Sequence, residues 1–165
     1  TPTPVAATAS PRPTPTPITS VLDLAGETTL AAAQAKVEFP IRLPAYPTDL
    51  GAPDKVYLQD LDGPAVILVW LEPEQPDQVR LSLQFLSSKV IAGKMGPKII
   101  ATPQVHDQLG LWIEGPYIMV ARSGDWDMIR LIEGHVLVWA EGDITYRLET
   151  DLPLEEAVRV AESLP

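Results

Sequence analysis

The chain has 165 residues, a formal net charge of −10 and a sequence pI near 4.5. That charge argues against a nucleic-acid partner or adsorption to anionic lipid, because phosphate contacts need clustered Lys and Arg. Cysteine is absent, which removes disulfides, thiol nucleophiles and Cys-based zinc sites; no apolar run reaches the length of about eighteen residues that a membrane-spanning helix needs.

Residues 1–19 are mostly Pro, Thr and Ala, with Arg12 as their only charge. Alternating Thr-Pro lacks the N–H groups for ladder bonding and biases each residue before Pro to extended backbone, so this stretch predicts a disordered, semi-extended stalk. An interdomain linker is the other reading of the same composition. The first residue is Thr, not Met, which leads us to expect that a signal or anchor lies upstream of Thr1 or was removed.

A single α+β domain is expected over 20–165. Val21 to Leu24 alternates as an edge strand or an extended lead-in. Thr28 or Thr29 predicts the N-cap of a helix to about Val37, favoured by Ala31, Ala32, Ala33 and Ala35. Phe39 to Pro44 reads as extended, followed by a Pro/Gly-rich loop. Lys55–Leu61 and Ala65–Leu71 form a hairpin across Asp62-Gly63; the second, apolar on both faces, belongs in a central position covered on both sides. Glu72 to Asp77 is expected as a polar turn, and Val79 to Phe85 as a half-buried strand.

Residues 87–104 predict a long loop with a short strand at Lys98–Ala101. Leu109–Glu114 is expected to pair with Tyr117–Arg122 across Gly115-Pro116. Met128–Ile132, His135–Ala140 and Asp143–Glu149 continue as antiparallel strands. Asp151 is expected to cap a closing helix from about Leu154 to Ser163, with Leu154, Ala157, Val158, Ala161 and Leu164 as its buried stripe and Glu155 paired to Arg159 at i,i+4. The resulting fold is α+β: one twisted antiparallel sheet with N-terminal and C-terminal helices packed on one face.

No chemical motif survives inspection. His106 and His135 are far apart and lack metal-ligand spacing. Asp60-Leu61-Asp62-Gly63 imitates the start of a calcium loop, but Leu71 stands where the bidentate ligand belongs. Gly93 to Lys98 contains the letters of a phosphate loop out of order. Glu72, Glu74 and Asp77 lie together in a turn that ordinarily faces water. The sequence therefore points to no catalytic residue, metal or cofactor. Two features remain as partner contacts. Trp126, between Asp125 and Asp127 in a turn, is either an interface anchor or a cover for the sheet edge. Lys89, Lys94 and Lys98 cluster within an acidic chain, and either dock an acidic partner or headgroups or are simply solvated. Trp70, Trp112 and Trp139 lie within strands and are expected in the core.

The segments PIRLPAYPTDLGAPDKVYL (40–58), LGLWIEG (109–115) and VLVWAEGDITYRLETDLPLEEAVRVAESL (136–164) resemble a poorly characterised family of bacterial extracytoplasmic domains. These domains follow a transmembrane helix, often with a cytoplasmic module, in anti-sigma-factor-like regulators. The resemblance spans roughly 29–164, and its most specific residues are Trp139, Gly142, Arg147-Leu148-Glu149 and Ala161-Glu162-Ser163-Leu164. It implies a non-enzymatic sensor or interaction domain tethered outside the cell membrane, whose partner is an unknown protein or envelope ligand. It carries over no binding residue: Trp139 and Leu148 would be core and Gly142 a turn. These residues contain no anti-sigma helices, so regulator status would rest on an upstream part. The alternative is a carrier that holds a lipid or other apolar ligand between sheet and helix, which requires a hollow core.

Overall fold

A computed structural model describes residues 24–60, 63–87, 93–94, 98–114, 119–120 and 134–165; for 93–94 and 119–120 it describes the backbone alone. The stalk, Val21 to Asp23, Lys89, Trp126, the Gly115-Pro116 turn and the expected strand at 128–132 lie outside the described residues.

The fold is mostly β, not the balanced α+β expected. Among the described residues twelve strands run in chain order as β1 (Glu27–Thr28), β2 (Lys55–Asp60), β3 (Pro64–Glu72), β4 (Gln75–Ser87), β5 (Gly93–Lys94), β6 (Lys98–Ala101), β7 (Gln104–Val105), β8 (Gln108–Leu109), β9 (Leu111–Glu114), β10 (Met119–Val120), β11 (His135–Glu141) and β12 (Ile144–Thr150). The helices are short: α1 (Leu30–Gln34) and α2 (Leu154–Glu162). Eight strands form one antiparallel sheet in the order β1-β2-β3-β4-β12-β11-β9-β6, accompanied by the two-stranded ladders β10-β5 and β7-β8.

This order follows from two meanders laid in opposite directions. β1 to β4 build outward from one edge; the later strands begin at the other edge with β6 and work inward through β9 and β11 until β12 closes against β4. The closing register pairs Ile144 with Ser87, Leu148 with Leu83 and Thr150 with Leu81. The β11–β12 hairpin turns on Gly142-Asp143, where Gly142 takes φ +56°, a left-handed conformation that glycine adopts without Cβ strain.

The period-2 pattern sorts the two faces. Val66, Leu68 and Trp70 of β3, Leu81, Leu83 and Phe85 of β4, Tyr146 and Leu148 of β12, Leu137 and Trp139 of β11 and Trp112 of β9 share the main core. Ala33 and Val37, and Ala157, Val160, Ala161 and Leu164, belong to the same cluster. Trp70, Trp112 and Trp139 are buried, as their strand positions predict. On the opposite face Tyr57, Ala65, Ile67, Val69 and Leu86 form a second cluster and Ile113, Val136 and Val138 a third. β3 is accordingly buried on both sides, as its apolar run requires.

Several local expectations need correction. β4 is not half-buried: Ser82 and Gln84, its polar alternates, are fully buried, as are Arg147 and Glu149 beside them on β12. The Glu72–Asp77 turn shrinks to Pro73-Glu74, and β4 enters through shifted register between Leu71 pairing with Val79 and Glu72 pairing with Gln75. Pro76 falls in that irregular stretch, where its missing N–H breaks no regular ladder. Thr29 caps α1 with its hydroxyl, accepting from the Ala32 N–H at 3.2 Å. The helix then stops at Gln34 rather than Val37, because Gln34 turns to the following segment, donating to the Phe39 carbonyl and accepting from the Ile41 N–H.

At α2 the N-cap is Pro153, which offers no side-chain acceptor, while Asp151 is exposed and uncoupled from the helix start. Thr150 Oγ1 instead accepts from the Leu152 N–H, holding the lead-in. Arg159 pairs with Glu156 at i,i+3, not with Glu155. Val160 is among the most buried residues of the helix, whereas Leu154 and Val158 are only partly covered.

Candidate interaction edge and its polar clamp

The sheet ends at β6, and among the described residues nothing pairs with the outer edge of that strand. Ile99 is 49% and Ile100 42% exposed, and Leu109 is 68% exposed at the far end of the same hairpin. That hairpin is the least anticipated feature of the fold. β6 pairs with β9 through Lys98–Glu114, Ile99–Ile113 and Ala101–Trp112, with an irregularity at Ile100. The ladder then resumes through the Gly110 N–H donating to the Pro103 carbonyl and through β7–β8, Gln104 opposite Leu109. Residues 98–114 are thus one long arm with its turn at His106-Asp107. Both turn residues have positive φ, 47° and 63°, a mirror-image turn that His and Asp enter more readily than most non-glycine residues.

The expected pairing of 109–114 with 117–122 does not hold for the described residues. β9 lies between β6 and β11, and Met119-Val120 pairs with Lys94 and Gly93. The physical reason is competition between turns. Gly115-Pro116 carries the stronger turn composition, but the apolar set of 111–113 is buried only between neighbours on both sides.

At the arm's tip His106 is fixed by two acceptors. Its Nδ1 lies 2.8 Å from Glu141 Oε1 and its Nε2 3.0 Å from the Glu162 backbone carbonyl at the end of α2. Glu141 is the hub: Oε1 also accepts from the Trp139 indole N–H at 3.0 Å, and Oε2 faces Arg42 Nη1 at 3.4 Å. The hydrogen bonds to the Glu162 carbonyl and the Glu141 carboxylate both push the His106 pKa above its ordinary value of 6.5. Next along the helix end, Ser163 receives the Ala45 N–H on its carbonyl and the Tyr46 N–H on its hydroxyl. The extended 42–46 segment, the arm, β11 and the C-terminus of α2 therefore converge on one polar knot.

A second cluster sits on the outer side of α2. The Tyr46 hydroxyl donates to Glu156, Arg159 bonds Glu156 at 3.0 Å, and the Arg159 guanidinium lies 4.1 Å from the centre of the Tyr46 ring. These two bonds hold the Glu156 carboxyl below its usual range, the Tyr46 bond being the larger influence. A cleft of about 410 Å³ opens beside it, and another of about 620 Å³ carries Lys36, Glu38 and Asp143 at its rim.

Of the lysines singled out in the sequence, Lys98 and the backbone of Lys94 are described. Lys98 opens β6 and bonds Glu114 at 2.6 Å, so its charge is already matched on the arm. Lys94 lies in β5, opposite Met119. The sequence offers His106 only without metal-ligand spacing and marks no role for Arg42 or Glu141. Its partners come from elements that no spacing rule connects. Among the described residues no group of three or more His, Asp or Glu side chains is placed to hold a metal ion.

No family model, curated protein or solved structure matches this chain.

Proposed function

We propose that this chain is a non-enzymatic, extracytoplasmic interaction domain of a membrane-anchored, anti-sigma-factor-like protein, carried on the Pro/Thr-rich stalk and paired to its partner through the β6 edge. One observation carries the interaction reading: a sheet edge that pairs with nothing among the described residues, with Ile99 and Ile100 exposed, the geometry that accepts an added strand. The tether and compartment rest on the stalk composition and the family resemblance of residues 29–164. Both helices on one sheet face are part of this reading, because their buried residues join the same cluster.

The occupant is an extended, apolar, neutral or basic segment of another protein. A net charge of −10 repels a second copy, and Lys98 is already neutralised by Glu114, so an acidic strand gains little there. The carrier alternative has less support: Trp70, Trp139, Tyr146 and Phe85 fill the sheet face shared with α2, and the 620 Å³ cleft has a charged rim.

The test is amide NMR of the chain with extended apolar peptides bearing neutral or basic ends. Shift changes concentrated at 98–101, and lost in Ile99→Asp, are expected. Dimerisation by light scattering would assign the edge to a second copy instead, and an unperturbed edge overturns the reading. The gene sequence upstream of Thr1 tests the tether separately; a complete precursor lacking both signal and anchor overturns it.

A further inference from the structure

We propose that His106 is a protonation latch: as imidazolium it clamps the tip of the 98–114 arm to Glu141 and to the end of α2, and as neutral imidazole it releases the tip and loosens the edge strand. The geometry requires this by hydrogen-bond chemistry. Nδ1 and Nε2 face a carboxylate oxygen and a backbone carbonyl, and both partners can only accept. A neutral imidazole has one N–H, so one of the two contacts must then set a lone pair against an acceptor.

The surroundings favour the cation. Glu141 on β11 supplies the opposing charge, Glu162 adds a carboxylate from α2, and the carbonyl end of α2 carries the negative pole of the helix. Asp107 is adjacent in the turn. Arg42 is a cation at the same hub, facing Glu141 Oε2. Glu141 meets Arg42 and His106 with different oxygens, so both can bind at once. The upward displacement of the His106 pKa agrees with this balance.

Val105, fully buried in the main core, keeps the arm attached when the tip opens. Release is therefore local: the β7–β8 ladder frays, and with it the register that continues into β6–β9. The inference rests on the edge reading only for its purpose, which is to make partner pairing respond to pH.

The chain has two histidines, so imidazole proton NMR with His106→Gln assigns each titration. Hydrogen exchange of the 104–109 amides, corrected for intrinsic rate, is followed from about pH 5 to 8 on the free chain. The expected result is a His106 midpoint above 6.5 that falls in Glu141→Gln. Protection at 104–109 should drop by roughly several-fold to tenfold through the midpoint, the weight of one partly exposed charge-assisted bond, while β11–β12 stays unchanged. A midpoint at or below 6.5, or equal protection on both sides of it, overturns the latch. If Glu141→Gln does not fold, the wild-type titration and exchange decide alone. Peptide binding to β6 that is equal below and above the His106 midpoint would overturn the coupling of the latch to the edge and leave the edge reading standing.

Discussion

Glu149 and Arg147 place opposite charges at 0% and 2% side-chain exposure in the middle of the sheet, bonded to each other and bridged by Gln84. Gln84 donates to Glu149 at 3.0 Å and accepts from Arg147 at 2.9 Å, so each side chain helps satisfy the other two. Removing one charge takes a buried ionic partner from the other. Glu149→Gln is expected to cost about 3–5 kcal/mol, read as a lower urea midpoint with unchanged slope. Ser82 lies opposite Glu149 in the β4–β12 register, yet among the described residues its buried hydroxyl has no hydrogen-bond partner. Ser82→Ala deletes an oxygen that gains nothing, so its midpoint should match or exceed wild type, by up to about 1 kcal/mol. The alternation of 79–85 and 144–149 correctly told which side chains share a face. It could not tell that the polar face is covered, because period 2 reports direction and not what lies opposite.

Element boundaries show where local signals suffice and where they fail. The β2–β3 and β11–β12 hairpins were legible because short glycine-containing sequences separate strand-forming runs, and Asp60 Oδ1 accepts from the Gly63 N–H. The 98–114 arm was not, because its turn is His106-Asp107, with no glycine, and its ladder is broken at Ile100 and Pro103. The α2 cap was misassigned because Asp151 has the right chemistry at the wrong distance, two residues before the true N-cap. Two glycines separate the cost of a turn from the cost of close approach. At Gly142 a Cβ would meet nothing within 4 Å, so Gly142→Ala carries only left-handed strain, about 1–2 kcal/mol. At Gly26, φ +85°, a Cβ would sit 2.3 Å from the Leu58 carbonyl, beside the bond by which Leu58 N–H reaches the Gly26 carbonyl. Gly26→Ala should therefore lower the urea midpoint more than Gly142→Ala and raise exchange along β1–β2; equal losses would mean that β1 contributes little.

For the whole molecule, the His106 contact and the net charge act in the same direction, and two carboxylate contacts oppose them at the acid end. Glu114 and Glu156 have lowered pKa values, through Lys98 and through Tyr46 with Arg159. Their contribution is present above the unfolded value near 4.5 and is lost as pH falls through their lowered folded values. His106 has the opposite sign: its raised pKa gives stability that is complete below 6.5 and lost as pH rises through the folded value. The net charge of −10 at pH 7 shrinks towards zero at the pI near 4.5, relieving self-repulsion over the same interval. Stability should thus peak at about pH 5–6, below the neutral optimum common to many domains. Urea midpoints from about pH 3 to 9 measure it. His106→Gln should flatten the descent above the peak, leaving the residual slope of net charge, and Tyr46→Phe should steal from the acid shoulder by returning Glu156 towards its ordinary value. Added salt screens the diffuse charge and leaves the half-buried His106–Glu141 contact largely intact, so a descent that persists in high salt and vanishes in His106→Gln belongs to the clamp. A profile that keeps rising to pH 8 would mean that neither the clamp nor the net charge governs the folded state.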